Sequence, residues 1–141
     1  RIRAVATLAA PSDLFIEDIP NAYRNVLRGN PSGNPIPGLA AVAQEVIVPL
    51  RDGQITLDQA RAELFARSPV RFVETIAPTV ALHGTEDSVV DVVHGRRLET
   101  ALRSVPTTPG SYIETSDSHG SLFTSFGARN EAATHIDSTV R

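Results

Sequence analysis

The sequence predicts an α/β fold in which parallel strands alternate with helices. Two observations support this prediction: short apolar runs are bounded by proline or glycine, and segments with helical periodicity separate them. Strands that alternate with helices pair in parallel, because each helix returns the chain to the same end of the sheet. The predicted order is strand, long mostly helical segment, strand, helix, strand and helix.

Each predicted strand is a short run with little polar interruption. The first covers residues 3–9 and stops before Pro11, and the second covers residues 79–82 and ends before Gly84. A weaker third run covers residues 111–114. Apolar runs without polar alternation are typical of strands that are buried on both faces of a parallel sheet.

Helices are predicted between and after these strands. Residues 39–50 form an apolar segment, and residues 96–105 repeat apolar side chains at helical spacing opposite a polar face. Residues 56–59 read as a capping box, which starts a helix that should end before Pro69. The buried face of that helix is predicted to consist of Leu57, Ala60, Leu64 and Phe65. A last helix is predicted over about residues 122–136, weakened by a glycine.

The segment between the first two strands is too long for a simple crossover. Within it, residues 29–38 alternate glycine and proline so densely that regular structure is excluded. We expect residues 1–141 to be part of a single domain, and residues 14–66 to form a helical cap or lid insertion within it.

The composition excludes several classes of function. The chain has 141 residues, of which 41% are hydrophobic and 21% charged, as is typical of a globular domain. The net charge is −3 and the 13 basic residues are scattered arginines, which argues against a nucleic-acid partner. No apolar run approaches the roughly 20 residues that span a bilayer. The absence of cysteine excludes disulfides and thiolate metal sites, and no metal or organic cofactor is indicated. The compartment stays open.

Two titratable side chains follow the carboxyl ends of predicted strands. Asp87 follows the second strand and His119 the third, at the edge where open α/β sheets bind ligands. If those strands are neighbours, about 4.8 Å apart, their loops open side by side. Asp87 could then accept a hydrogen bond from one ring nitrogen of His119, leaving the other to accept a proton from a nucleophile. Gly84 would allow the turn, and Gly120 would keep space beside the imidazole.

Each of these residues also has a purely structural interpretation. An aspartate after a strand commonly makes a turn or caps a helix, and a histidine in a polar loop is commonly just exposed. Glu86 and Asp117 are interpreted as solvated, and His83 as a residue that satisfies a backbone group. His94 and His135 are predicted at the surface. A metal site built from His83, Glu86 and His94 matches no recognised ligand spacing.

Residues 83–90, His-Gly-Thr-Glu-Asp-Ser-Val-Val, resemble the His-Gly-x-x-Asp-x-x-Val segment of α/β-hydrolases. The resemblance is to the dienelactone-hydrolase and prolyl-oligopeptidase-like branch. Residues 4–13 resemble its strand after the nucleophile helix, and residues 68–73 resemble the Ser-Pro turn before the acid-bearing strand. The resemblance implies the C-terminal half of an α/β-hydrolase fold, with Asp87 as the triad acid and His119 as the triad base.

The chain departs from the family at the nucleophile. The family serine lies in Gly-x-Ser-x-Gly on a tight turn between a strand and a helix, and this motif is absent here. Residues 29–33 place their serine one position late, and Ser121 follows the histidine instead of preceding it. Because the family order is nucleophile, acid and histidine, we expect the serine upstream of Arg1. The missing N-terminal half would also cover the open edge of the sheet.

The resemblance implies a serine hydrolase that acts on carboxylic esters when completed by its N-terminal half. A small-molecule ester or acyl compound is the expected substrate. Two alternatives stay open: a prolyl-oligopeptidase-like serine peptidase, and a non-catalytic α/β-hydrolase-like binding module. The apolar helix of residues 39–50 could line an acyl pocket or simply pack as a cap.

Overall fold

The structure, a computed structural model, describes residues 2–16, 18–29, 39–105 and 110–140. The chain divides into two compact units. One unit is formed by Arg1–Asp13 together with Pro69–Arg141, and the other by Leu14–Ser68. The elements in chain order are β1 (Val5–Leu8), α1 (Asp18–Leu27), α2 (Ala40–Val42), a π-helical segment (Ala43–Ile47), α3 (Val48–Arg51), α4 (Leu57–Ala66), a 3-10 turn (Pro69–Arg71), β2 (Thr79–Gly84), α5 (Val93–Arg103), β3 (Gly110–Thr115), α6 (His119–Thr124) and α7 (Phe126–Val140).

The first unit is built on a three-stranded parallel sheet with the order β1-β2-β3. In the register, Leu8 of β1 lies opposite Leu82 of β2, and Gly84 of β2 lies opposite Thr115 of β3. The predicted α/β class with parallel strands is therefore confirmed, and each apolar run forms a strand. A three-stranded sheet is too small to establish half of a hydrolase fold, so that finer assignment stays a prediction.

The central strand β2 is buried along its whole length, because helices cover both of its faces. Val80 and Leu82 pack with Leu122 of α6 and with Ala128 and Ala132 of α7. Side chains alternate across a strand, so these two β2 residues share one face.

The opposite face of the sheet is covered by α5. Ala81 of β2 packs there with Leu98 and Leu102, and Val73 completes this cluster. The predicted helix over residues 96–105 is thus present, but it begins three residues earlier and ends two residues earlier than predicted. The predicted last helix forms as two helices, since α6 ends at Thr124 and α7 begins at Phe126.

The second unit, Leu14–Ser68, contains α1 through α4. The predicted helix over residues 39–50 forms but widens over Ala43–Ile47, where the Val48 amide donates to the carbonyl oxygen of Ala43. Pro49 follows in the first turn of α3. In a regular α-helix its ring would clash with the carbonyl group of Glu45. We attribute the π-helical segment to this proline, because a wider turn moves that carbonyl away from the ring.

The capping box of α4 is confirmed. The Gln59 amide donates to the Thr56 hydroxyl oxygen over 3.2 Å, and the Thr56 amide donates to the Gln59 side-chain oxygen over 2.8 Å. The predicted buried face is only half right, since Ala60 and Leu64 are buried while two residues are about half exposed, namely Leu57 and Phe65. Ala60 and Leu64 are four residues apart and form one narrow stripe, and the other two lie at its margins.

The long segment between β1 and β2 contains a helical unit. Residues 30–38, most of the glycine- and proline-rich stretch that is predicted to lack regular structure, lie outside the described residues. The helical unit Leu14–Ser68 nearly matches the predicted insertion of residues 14–66, but its role as a cap stays a prediction, as does a single domain over residues 1–141. Among the helices that the structure describes, none has the length and apolar character needed to cross a membrane.

Candidate active site

The loops that follow β2 and β3 are joined at the carboxyl edge of the sheet. Gly84 and Thr115, the last residues of the two strands, lie opposite each other. Beyond them, the Thr85 amide donates to the Thr115 carbonyl over 2.8 Å, and the Glu86 amide donates to the Asp117 carbonyl over 3.3 Å. The loop that carries Asp87 and the loop that leads to residue 119 therefore continue the pairing of the strands.

Gly84 is required by the close approach of these two loops. A Cβ atom built on Gly84 would overlap with the carbonyl oxygen of Asp117, so any side chain here would push the loops apart. Gly120 differs, because apart from its chain neighbours and the backbone of its own helix, no heavy atom of the described residues lies within 4 Å of where its Cβ would stand. That Gly120 keeps space beside the imidazole stays a prediction.

The structure brings Asp87 and His119 together. Oδ2 of Asp87 lies 2.8 Å from Nδ1 of His119. Oδ1 of the same carboxylate accepts hydrogen bonds from the amides of Val89, over 2.8 Å, and Val90, over 2.9 Å. The Asp87 side chain is fully buried, whereas 27% of the His119 side chain is exposed. The carboxylate is thus fixed by three hydrogen bonds below a partly accessible imidazole.

The surroundings of Asp87 favour its ionised form. Burial by itself raises the pKa of Asp87, but the hydrogen bonds from the Val90 amide, the His119 ring and the Val89 amide outweigh it, so the pKa lies below its ordinary value of 3.8. An ionised carboxylate can only accept hydrogen bonds. Nδ1 of His119 must therefore carry the proton of this contact, and in the neutral ring Nε2 is the acceptor.

His119 is held in place by the start of α6. It is the first residue of that helix, directly after the N-cap Ser118. The Ser118 amide donates to Oγ of Ser121 over 2.8 Å, and the Ser121 amide donates to Oγ of Ser118 over 3.3 Å. The ring of Phe123 meets the imidazole edge-on, with centroids 5.3 Å apart. No described residue forms a hydrogen bond with Nε2, so that atom is available for proton transfer.

His83 lies beside the carboxylate of Asp87. Its Nε2 is 2.8 Å from the Val90 carbonyl oxygen, which confirms the prediction that it satisfies a backbone group. The same nitrogen is 3.6 Å from Oδ2 of Asp87, and the side chain is 2% exposed. The sequence did not reveal this second relationship. The i, i+4 spacing across a tight turn was its only signal.

The prediction that His94 lies at the surface is wrong. His94 is completely buried, and its Nδ1 accepts from the amides of Ser12, over 3.3 Å, and Asp13, over 3.5 Å. The Ser12 hydroxyl donates to the His94 carbonyl over 2.5 Å. The first turn of α5 therefore anchors the loop that follows β1. The buried Asp13 carboxylate is 3.0 Å from the Arg97 guanidinium and 3.6 Å from that of Arg71.

The remaining candidate residues lie outside the contact between Asp87 and His119. Glu86 is exposed as predicted, and Asp117 is partly buried. His135 is only partly exposed, and its Nε2 is a buried atom that has no hydrogen-bond partner among the described residues. Within the described part of the chain, no cluster of three or more His, Asp or Glu side chains could hold a metal ion.

A large cavity lies at the other edge of the sheet. It has a volume of about 850 Å³ and is lined by Val5 and Pro78, which lie at the amino-terminal ends of β1 and β2. Arg3 is its only charged lining residue in the described chain. Because the cavity lies at the other end of the strands from Asp87 and His119, we do not connect it with their chemistry.

Comparison with models of known protein families, with curated proteins and with solved structures found no match. The resemblance to α/β-hydrolases therefore rests on the sequence segments described above. It stays a prediction.

Proposed function

We propose that this chain supplies the acid and the base of the catalytic triad of a serine hydrolase that acts on carboxylic esters. Asp87 is the acid, His119 is the base, and the chain forms the C-terminal part of an α/β-hydrolase fold. The observation that carries the proposal is the 2.8 Å contact between a fully buried carboxylate and an imidazole whose other nitrogen has no described partner. This arrangement orients a general base toward a nucleophile.

The mechanism follows from the protonation states. Nε2 of His119 accepts the proton of a serine hydroxyl while the serine oxygen attacks the ester carbonyl. Asp87 stays ionised, holds the proton on Nδ1 and stabilises the imidazolium. The imidazolium then gives its Nε2 proton to the departing alcohol, and an acyl-enzyme is left. Water attacks the acyl-enzyme with the same base, which releases the acid and restores the serine.

The nucleophile in this proposal belongs to a part of the protein outside residues 1–141. The sequence contains no Gly-x-Ser-x-Gly segment. Ser121 is close to His119 in sequence, but its hydroxyl oxygen is engaged in the cap of α6, where it accepts from the Ser118 amide. By the family order, the serine precedes this chain, and the donors that stabilise the oxyanion come with it.

Fluorophosphonate labelling of the full-length protein tests the proposal. The labelled protein is digested, and mass spectrometry locates the modified residue. We expect one modified serine outside residues 1–141, with labelling abolished in His119→Gln and retained in Glu86→Gln, which changes an exposed neighbouring carboxylate. A label on Ser121 would contradict the proposal. Absence of labelling in a correctly folded protein would favour the non-catalytic binding module.

Substrate turnover separates the ester hydrolase from the peptidase. Initial rates are measured on p-nitrophenyl butyrate and on a prolyl p-nitroanilide, each of which releases a chromogenic nitroaromatic group. We expect the ester to be hydrolysed and the prolyl amide to be inert. The reverse preference, with dependence on His119, would keep the catalytic pair and replace the ester substrate by a peptide.

A further inference from the structure

Nε2 of His83 lies close to two groups of the turn that holds Asp87, namely the Val90 carbonyl and the Asp87 carboxylate. A carbonyl oxygen can only accept, so the proton of the 2.8 Å contact between His83 and Val90 resides on Nε2 of the histidine. This N–H group also lies 3.6 Å from Oδ2 of Asp87, too far for a hydrogen bond but close enough for a favourable charge–dipole interaction.

A chain of hydrogen bonds leads from His83 through Val90 and Asp87 to His119. The Val90 carbonyl accepts from His83, while the Val90 amide donates to Oδ1 of Asp87 over 2.9 Å. Oδ2 of the same carboxylate faces His119. His83 therefore fixes the peptide whose amide orients the carboxylate, and the carboxylate orients the imidazole. All these atoms except part of His119 are buried, so water cannot replace a lost contact without entering the turn.

We propose that His83 is a positioning residue for the Asp87–His119 pair, because it closes the turn from β2 to Val90 and so aims the carboxylate at Nδ1 of His119. This inference rests on the proposed function for its effect on turnover. It requires no contact between His83 and the substrate. It predicts that the orientation of Asp87 requires a hydrogen-bond donor at the position of Nε2 of His83. The imidazole ring itself is not required.

Two amide side chains separate this role from simple filling of the core. The amide nitrogen of glutamine can reach about the position of histidine Nε2, while that of asparagine reaches about the position of Nδ1. His83→Gln keeps a donor for the Val90 carbonyl, and His83→Asn leaves that carbonyl unpaired. Both replacements are neutral and polar, so they differ chiefly in where the donor lies.

Steady-state kinetics of the full-length protein provide the first test. We expect His83→Asn to lower kcat on the order of 10²-fold with little change in KM, since misplacing a catalytic group by about 1 Å has that effect. His83→Gln should recover most of the loss. The matched control is His94→Leu, which removes another fully buried histidine, one that is hydrogen-bonded to Ser12 and Asp13. It should lower the melting temperature without the selective loss of kcat.

The titration of the Asp87 carboxyl group, followed by carbon NMR, provides a second test that needs no activity. The pKa of Asp87 should rise in His83→Asn, because the Val90 amide no longer holds its place, and should stay near the wild-type value in His83→Gln. Folded His83→Asn protein with wild-type kcat and wild-type Asp87 titration would overturn the inference. If Asp87→Asn itself leaves kcat intact, the proposed function fails, and the NMR titration still decides the role of His83.

Discussion

Nδ1 of His119 lies 2.8 Å from Oδ2 of Asp87, although 32 residues separate the two in sequence. The sheet brings them together, because β2 and β3 are parallel neighbours and end at the paired residues Gly84 and Thr115. Each side chain stands shortly after its strand, so both occupy the same edge. The geometry of the pair is therefore a direct consequence of the strand order.

Replacing Asp87 by asparagine tests the role of the carboxylate. The side-chain amide nitrogen introduced in Asp87→Asn would donate to Nδ1 of His119 and place the ring proton on Nε2, so the base could no longer accept from serine. We expect kcat for ester hydrolysis by the full-length protein to fall about 10⁴-fold. Glu86→Gln, which removes the adjacent exposed carboxylate, should stay within about twofold of the wild type. Near-normal kcat in Asp87→Asn would remove Asp87 from the mechanism.

The lowered pKa of Asp87 also predicts how stability depends on pH. Burial raises this pKa, and the hydrogen bonds from Val90, His119 and Val89 lower it by more. A carboxyl group with a depressed folded-state pKa stabilises the fold above its ordinary value of 3.8, and this stabilisation is lost as the pH falls through the lower folded-state value.

Urea unfolding at a series of pH values from about 6 to about 3 measures this effect. The free energy of unfolding of the wild type should fall more steeply over the acidic end than that of Asp87→Asn, which has no carboxyl group to protonate. Parallel curves for the two proteins would mean that the hydrogen bonds to Asp87 do not favour its ionised form.

The sequence was sufficient for parallel strands, and it placed Asp87 and His119 side by side on the condition, met in the structure, that β2 and β3 are neighbours. Apolar runs without alternation indicate buried parallel strands, and the carboxyl ends of such strands meet at one edge. The capping box at Thr56 was equally readable, because both of its partners lie within four residues. These features depend on local pattern or on a general rule of topology.

The features that the sequence did not reveal depend on contacts between distant segments. His94 is buried because the amides of Ser12 and Asp13, more than 80 residues away, donate to it. No periodicity within α5 indicates such a partner. The approach of His83 to Asp87 was hidden for a related reason, since only the folded turn brings the Val90 carbonyl and the Asp87 carboxylate to Nε2 of His83.

The contrast between two glycines tests the close approach of the loops. Gly84→Ala would press a methyl group against the Asp117 carbonyl, and the backbone there cannot rotate away as a side chain could. We expect the free energy of unfolding to fall by about 3 kcal/mol or more. Gly120→Ala, in the open first turn of α6, should be neutral or stabilise by up to about 1 kcal/mol. Thermal or urea unfolding of both variants checks this difference. Equal losses would show that the space around Gly84 is not limiting.

His94 provides the last prediction, because its Nδ1 is an acceptor for two buried amides. His94→Leu fills much of the same volume but leaves the amides of Ser12 and Asp13 without this acceptor. We expect the free energy of unfolding to fall by about 2–3 kcal/mol, since each unsatisfied buried donor costs about 1–3 kcal/mol and the loop can relax in part. His94→Asn, whose side-chain oxygen reaches about the position of Nδ1, should recover part of the loss. Urea unfolding at neutral pH measures both variants, and a stability for His94→Leu equal to that of the wild type would show that these amide contacts do not anchor the loop after β1.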